Sequence, residues 1–248
     1  MLTNRHGKRM PATLDLPTLT PRGTFIMLHG LGGWREQPCV AQLRIKAAEE
    51  GYCALSFDAS DAAHGPDGDT RSSTPTSYFE DVEDALDAVR SMDWFTPPLL
   101  LGGHSLGGMI AVHYAALHPG TLSRLLLVAP AVSWKYRSQG LKLLFLYGAI
   151  RGKFKVFGPP YSKILLDRKF VFDYLKYDAE KEARLIPIPT LVVAAGEDRT
   201  VATHTEHKRF ARCFVKGSFA FVPHAPHDFD EHVPELAGIV GKWIRDNS

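Results

Sequence analysis

Residues 99–114 read LLLGGHSLGGMIAVHY: an apolar run, glycines packed around Ser105, then an apolar stretch with helical spacing. Glycine and serine are common enough that a chain of this size meets G-x-S-x-G by chance roughly one time in ten, so the setting decides its meaning. Here the serine directly follows a predicted buried strand and opens a predicted helix over 106–117. A strand-to-helix turn that tight needs Gly103 and Gly107 to avoid clashes, and it exposes the serine hydroxyl above the sheet, near the positive end of the helix dipole. Crowding of this kind suits a nucleophile. The bland alternative is a glycine-rich turn with no chemistry.

The rest of the chain supplies the matching framework. TFIMLHG (24–30), YCALSFD (52–58), RLLLVAP (124–130), TLVVAAG (190–196) and SFAFVP (218–223) join LLLGGH as predicted strands buried on both faces. Helical patterns lie between them. One is predicted from a Ser77/Glu80 capping box, with Phe79, Val82, Leu86 and Val89 on one face and Glu80, Asp81, Glu83, Asp84 and Asp87 as the solvated face. Another follows Pro234, with Leu236, Ile239, Val240, Trp243 and Ile244 at helical spacing. This alternation predicts an α/β fold: a mainly parallel sheet with helices on both faces. Between Val132 and Pro189 no strand is evident, and aromatics, Lys and Arg accumulate. The expected organisation is a core from 1–131 and 190–248, with a small helical cap inserted at 132–189.

Composition excludes several function classes. Lys plus Arg number 29 against 27 Asp plus Glu, so a net charge of +2 gives no support to a nucleic-acid partner. Three cysteines, Cys39, Cys53 and Cys213, lack C-x-x-C spacing and suggest neither a disulfide framework nor a zinc ribbon. A reducing, cytoplasmic setting is expected. The opening MLTNRHGKRMP has no apolar h-region of a secretory signal, and no run of about 18 apolar residues predicts a membrane span.

A serine nucleophile needs an oxyanion site, a base and an orienting acid. His29-Gly30-Leu31-Gly32-Gly33 ends an earlier strand, and the N–H groups of Leu31 and Leu106 are the expected oxyanion donors. His29 itself is expected to be a structural hydrogen-bonding residue. In the order Ser, acid, His, TLVVAAGEDRTV offers Asp198, two residues after Gly196, with Glu197 the lesser choice. VPHAPHDFDEH offers His227 as base, with His224 the runner-up. A metal cluster of His224, His227, Asp228, Asp230 and His232 is disfavoured, because no second ligand group stands out, so no metal or cofactor is expected. His104, His113, His118, His204 and His207 are read as structural or solvated. No substrate-binding residues are assigned.

With HGLGG, GHSLGG, GEDRTV and PHDF in this order, nearly the whole chain resembles the α/β-hydrolase superfamily. Within it the sequence is similar to small microbial serine hydrolases allied to cinnamoyl and feruloyl esterases and to monoacylglycerol lipases, as is the opening NRHGKRMPATLDLP. The resemblance implies the α/β-hydrolase fold, Ser105, Asp198 and His227 as triad, and Leu31 and Leu106 as oxyanion donors. One departure is ASDAAHGPDGDT after YCALSFD, where such hydrolases usually carry G-x-G-x-S; only His64-Gly65 and Gly68 are similar. That loop bears on the pocket wall.

The expected function is cleavage of small carboxylic esters through an acyl-enzyme. Peptidase or amidase chemistry on the same triad is the alternative, and a binding module that keeps the fold without the chemistry is another. Dehalogenase or epoxide hydrolase chemistry is disfavoured, since both use a carboxylate where this chain has Ser105. In the cap, Lys or Arg stands at 135, 137, 142, 151, 153, 155, 163, 168 and 169, against Asp167. Interleaved are Trp134, Tyr136, Phe145, Tyr147, Phe154, Phe157 and Tyr161. The plain expectation is a helical lid packed on the body, and the sharper one is a basic rim that draws anionic substrates or lipid surfaces.

Overall fold

The apolar runs become strands of one twisted sheet. The structure is a computed structural model that describes residues 1–247 apart from 64, 134, 136–138 and 159–161. Among these residues β1 (Leu2–Thr3) and β2 (Arg9–Met10) form a small antiparallel ladder at the start of the chain. The main sheet contains β3 (Ala12–Asp15), β4 (Gly23–Leu28), β5 (Tyr52–Phe57), β6 (Leu99–His104) and β7 (Arg124–Val128). A second hairpin, β8 (Lys153–Gly158) and β9 (Ser162–Asp167), stands apart from it, and β10 (Pro189–Ala195) and β11 (Lys216–Val222) complete it. Its order is β11-β10-β7-β6-β4-β5-β3, parallel throughout except for β3 against β5.

Strand alternation splits the core into two layers. Ile26, Leu28, Leu99 and Leu101 face the side covered by α2 (Pro75–Arg90) and α3 (Leu106–Leu117). Phe25, Met27 and Leu100 face α1 (Pro38–Glu49) and α8 (Val233–Asp246), whose Leu43, Leu236 and Val240 close that layer. Burial on both faces is why these strands read as unbroken apolar runs. After β4 the chain moves outward to β5 and then crosses to the other side of β4 for β6. The sheet therefore has its switch point between β4 and β6, where open α/β sheets hold ligands at the strand C-termini.

Several expectations need correction. β11 is an edge strand, exposed along most of its length, because no strand among the described residues pairs beyond it. The capping box of α2 lies one turn earlier than predicted: Thr74 accepts from the N–H of Ser77, whose hydroxyl bonds back at Thr74, and Pro75 sits at the first helical turn. The acidic face of α2 is not wholly solvated. Asp81 is buried and accepts from Asn4 Nδ2 and from the N–H of Ser60, each at 2.7 Å. Burial raises its carboxyl pKa above the ordinary value.

The strandless reading of 132–189 is also overturned. Alternation in KFKVFG and SKILLD buries Phe154, Val156, Ile164 and Leu166 and turns Lys153 and Lys155 to solvent. Around this hairpin lie α4 (Gln139–Arg151), α5 (Arg168–Tyr174) and α6 (Ala179–Ala183). Phe145 packs its ring 5.4–5.9 Å from those of Phe154, Phe170 and Tyr174. Residues His64, Trp134, Tyr136, Arg137 and Tyr161, and the side chains of Phe157 and Lys163, lie outside what the structure describes. Between β10 and β11, α7 (His204–Ala211) carries its own Thr203/Glu206 capping box.

Candidate active site

Ser105 stands between β6 and α3 with φ 54° and ψ −117°. A non-glycine residue held there is strained, and such strain persists only where the surroundings impose it. Here they do: its N–H bonds the carbonyl of Val128, and its carbonyl accepts from Gly108, Met109 and Ala131. No side chain fits at the two flanking glycines. A Cβ on Gly107 would strike the carbonyl of His29 and Leu28, and one on Gly103 would strike the backbone of Gly107.

The Ser105 hydroxyl meets His227 Nε2 at 2.9 Å, and His227 Nδ1 meets Asp198 Oδ2 at 2.8 Å. Because the carboxylate can only accept, the neutral imidazole carries its proton on Nδ1 and leaves Nε2 free to accept from the serine. Asp198 is held for this by its other oxygen, which accepts from the N–H groups of Thr200 (2.7 Å) and Val201 (3.2 Å). Burial raises the Asp198 carboxyl pKa, but the bonds from His227, Thr200 and Val201 outweigh that and hold it below the ordinary value. It therefore stays ionised beside the imidazole. The three side chains come from the C-terminal ends of β6, β10 and β11, so the parallel sheet brings together residues 29 and 122 positions apart.

The oxyanion candidates border one cavity. Leu106 is the first residue of α3, so its N–H has no intrahelical acceptor. Leu31 follows Gly30, at which a Cβ would come within 3.0 Å of that of Ser105. Both line a small cavity of about 20 Å³, together with Gly30, Gly32, Tyr78 and Ile164. That is room for about one water molecule. His29 behaves as expected of a structural residue: its Nε2 accepts from the N–H of Ala59 (3.0 Å) and its Nδ1–H donates to the carbonyl of Gly30 (2.8 Å). The hydroxyl of Tyr78 donates to the carbonyl of His29. These bonds set the turn that presents Leu31.

The runner-up residues pair with each other instead. His224 Nδ1 lies 3.1 Å from Glu197 Oε1, in the open. Of the disfavoured metal cluster, His227 and Asp228 group with His104 within 4.8 Å, while His227 is already committed to Ser105 and Asp198. His104 is the residue that sequence reasoning passed over. It is buried, its Nε2–H donates to the carbonyl of His227 at 3.0 Å, and its ring lies 4.9 Å from that of His227. Its position directly before the serine was the available signal. Loop 59–73 walls the small cavity with Asp61, Ala62, Ala63, Thr70 and Ser73, and Thr70 donates to the carbonyl of Leu165 in β9.

The family model described as "Alpha/beta hydrolase family" matches residues 25–238. Human "Monoglyceride lipase" is 30% identical over 135 residues, which is 53% of this chain and 42% of that protein. "Monoacylglycerol lipase" of Mycolicibacterium smegmatis is 31% identical over 129 residues, 51% of this chain and 44% of that protein. The alignments thus span under half the length of these relatives. Among solved structures, Est1E from Butyrivibrio proteoclasticus with bound ferulic acid superposes with a TM-score of 0.81 at 18% identity, covering 100% of this chain and 98% of that one. At that identity the likeness speaks for the fold alone.

Proposed function

Since the chain belongs to the alpha/beta hydrolase family, we propose that it is a serine hydrolase of carboxylic esters that works without metal or cofactor. The observation that carries this reading is the continuous hydrogen-bonded line from Ser105 through His227 to Asp198. Ser105 Oγ attacks the ester carbonyl while its proton passes to His227 Nε2, and Asp198 stabilises the imidazolium. Leu31 and Leu106 N–H groups receive the oxyanion; one such donor is worth about 3–4 kcal/mol of barrier. His227 returns the proton to the departing alcohol, and water repeats the sequence on the acyl-enzyme. The names of the human and mycobacterial relatives support small-molecule esters as the substrate class.

Residues 132–189 serve as a cap over this site. In support, Ile164 of β9 lines the same cavity as Leu31 and Leu106. The outer face of α4 exposes Leu143, Leu146, Tyr147 and Ile150 at helical spacing, beside exposed Arg151, Lys153, Lys155, Arg168 and Lys169. Apolar residues rimmed by cations suit contact with anionic lipid or anionic substrates. Among the described residues no helix is long and apolar enough to cross a membrane. A cytoplasmic setting accords with the free thiols of Cys39, Cys53 and Cys213.

The test is a matched pair of substrates with one acyl group, an aryl ester and an anilide, assayed with the unmodified protein and Ser105→Ala. Ester turnover that vanishes in the variant, with little anilide turnover, is expected. Dominant anilide cleavage selects the amidase reading, and ester turnover equal in both proteins overturns the serine mechanism. For the cap, kcat/KM for an anionic ester is expected to fall with salt more than for a neutral ester of equal length. Lys153→Gln with Lys155→Gln narrows that difference, and equal salt dependence in the unmodified protein contradicts the basic rim.

A further inference from the structure

In a strand, successive side chains point to opposite faces. The positive φ at Ser105 breaks that rule at the end of β6, so that His104 and Ser105, consecutive in the chain, both engage the loop that carries His227. Ser105 takes the imidazole at Nε2, and His104 takes the backbone carbonyl of the same residue. This loop lacks regular secondary structure between β11 and the short 3-10 turn Asp230–His232, so its placement depends on such individual bonds. The neighbouring bonds act in the same sense: the N–H of Glu197 donates to the carbonyl of Ala225, Phe229 is buried, and Gln37 Nε2 donates to Asp228 Oδ1.

Resting on the serine-hydrolase reading above, we propose that His104 is a positioning residue for the reaction, a neutral histidine whose Nε2–H pins the main chain of His227 so that its imidazole stays in line between Ser105 and Asp198. A carbonyl can only accept, so the His104 proton must sit on Nε2. Its Nδ1 is buried with no hydrogen-bond partner among the described residues and lies beside Gly30. A second proton there would find no acceptor. Burial, and then the neighbouring His227, lower the His104 pKa to about 4, so the ring is neutral at neutral pH, while the bond from Nε2 to the carbonyl selects the tautomer. Asp228, at 4.0 Å from His104 Nε2, favours the proton on that nitrogen. The ring thus offers a fixed donor without placing a second positive charge against the imidazolium formed on His227.

His104→Met and His104→Gln are close in shape and differ in the donor. On a short aryl ester, His104→Met is expected to lower kcat about 10- to 100-fold with KM within about threefold, since misplacing a reacting group by about 1 Å costs on the order of 100-fold. His104→Gln is expected to recover kcat to within about threefold of the unmodified protein. Equal kcat in the two variants, or a loss confined to KM, overturns the proposal. Imidazole ¹⁵N spectra of the unmodified protein decide it independently of how the variants fold: a neutral His104 protonated on Nε2 is expected, and an Nδ1–H tautomer overturns it. Ser105→Ala run alongside separates the two claims, because persistence of its ester turnover removes the serine mechanism while the ¹⁵N spectra still report on His104.

Discussion

Two carboxylate–histidine pairs join the same two loops, and only one of them meets a serine. Asp198 with His227 and Glu197 with His224 are adjacent acids and near-adjacent histidines, at 2.8 and 3.1 Å. Their surroundings differ sharply. The Asp198 and His227 side chains are 0% and 13% exposed, whereas those of Glu197 and His224 are 56% and 81% exposed. An exposed pair is screened by water and salt and contributes little. In the buried pair two backbone N–H groups fix the direction of Asp198, whose other oxygen fixes the tautomer of His227. Distance between acid and base therefore does little to separate the two pairs. Enclosure and a third partner make the difference.

The sharpest way to break the comparison is to remove each histidine in turn. His227→Ala is expected to lower kcat on a short aryl ester by roughly 10⁴-fold or more, and to add almost nothing to Ser105→Ala, because triad members act as a unit. Retained turnover in His227→Ala would mean that His224, or another base, serves Ser105. Next in size comes Asp198→Asn. It keeps the shape of the acid and loses its charge, so a drop of about 10³- to 10⁴-fold is expected, milder than that of the histidine variant. Smallest are Glu197→Gln and His224→Ala, each expected within about twofold in kcat and within ~0.5 kcal/mol in stability by urea unfolding. A tenfold loss of kcat in either would place the exposed pair in the mechanism.

The same contrast between enclosed and open positions explains what was legible in the sequence. The central strands read correctly because burial on both faces leaves an uninterrupted apolar signature, whereas the apolar run of β11 carries no mark that distinguishes an exposed edge strand from a central one. The hairpin at β8 and β9 was hidden because its alternation of Lys with Phe and Val reads as a basic, aromatic composition before it reads as period two. Burial of Asp81 is invisible in the helical pattern of α2, since its partners, Asn4 and Ser60, lie 77 and 21 positions away. In the candidate site, Ser105, Asp198 and His227 could be chosen because each follows a predicted strand in the chain order serine, acid, histidine. His104 offered only its place directly before the serine, because its bond reaches across 123 positions and forms once the His227 loop has folded back over β6.

Covalent labelling tests the central claim most directly. The unmodified protein is treated with a fluorophosphonate, digested and mapped by mass spectrometry, with Ser105→Ala and His227→Ala in parallel. A single adduct on Ser105 is predicted, absent from the serine variant and formed at least 100-fold more slowly in the histidine variant, because only an activated serine attacks the reagent at a useful rate. An adduct on any other residue, or ester turnover by a protein whose Ser105 stays unlabelled, would contradict the account.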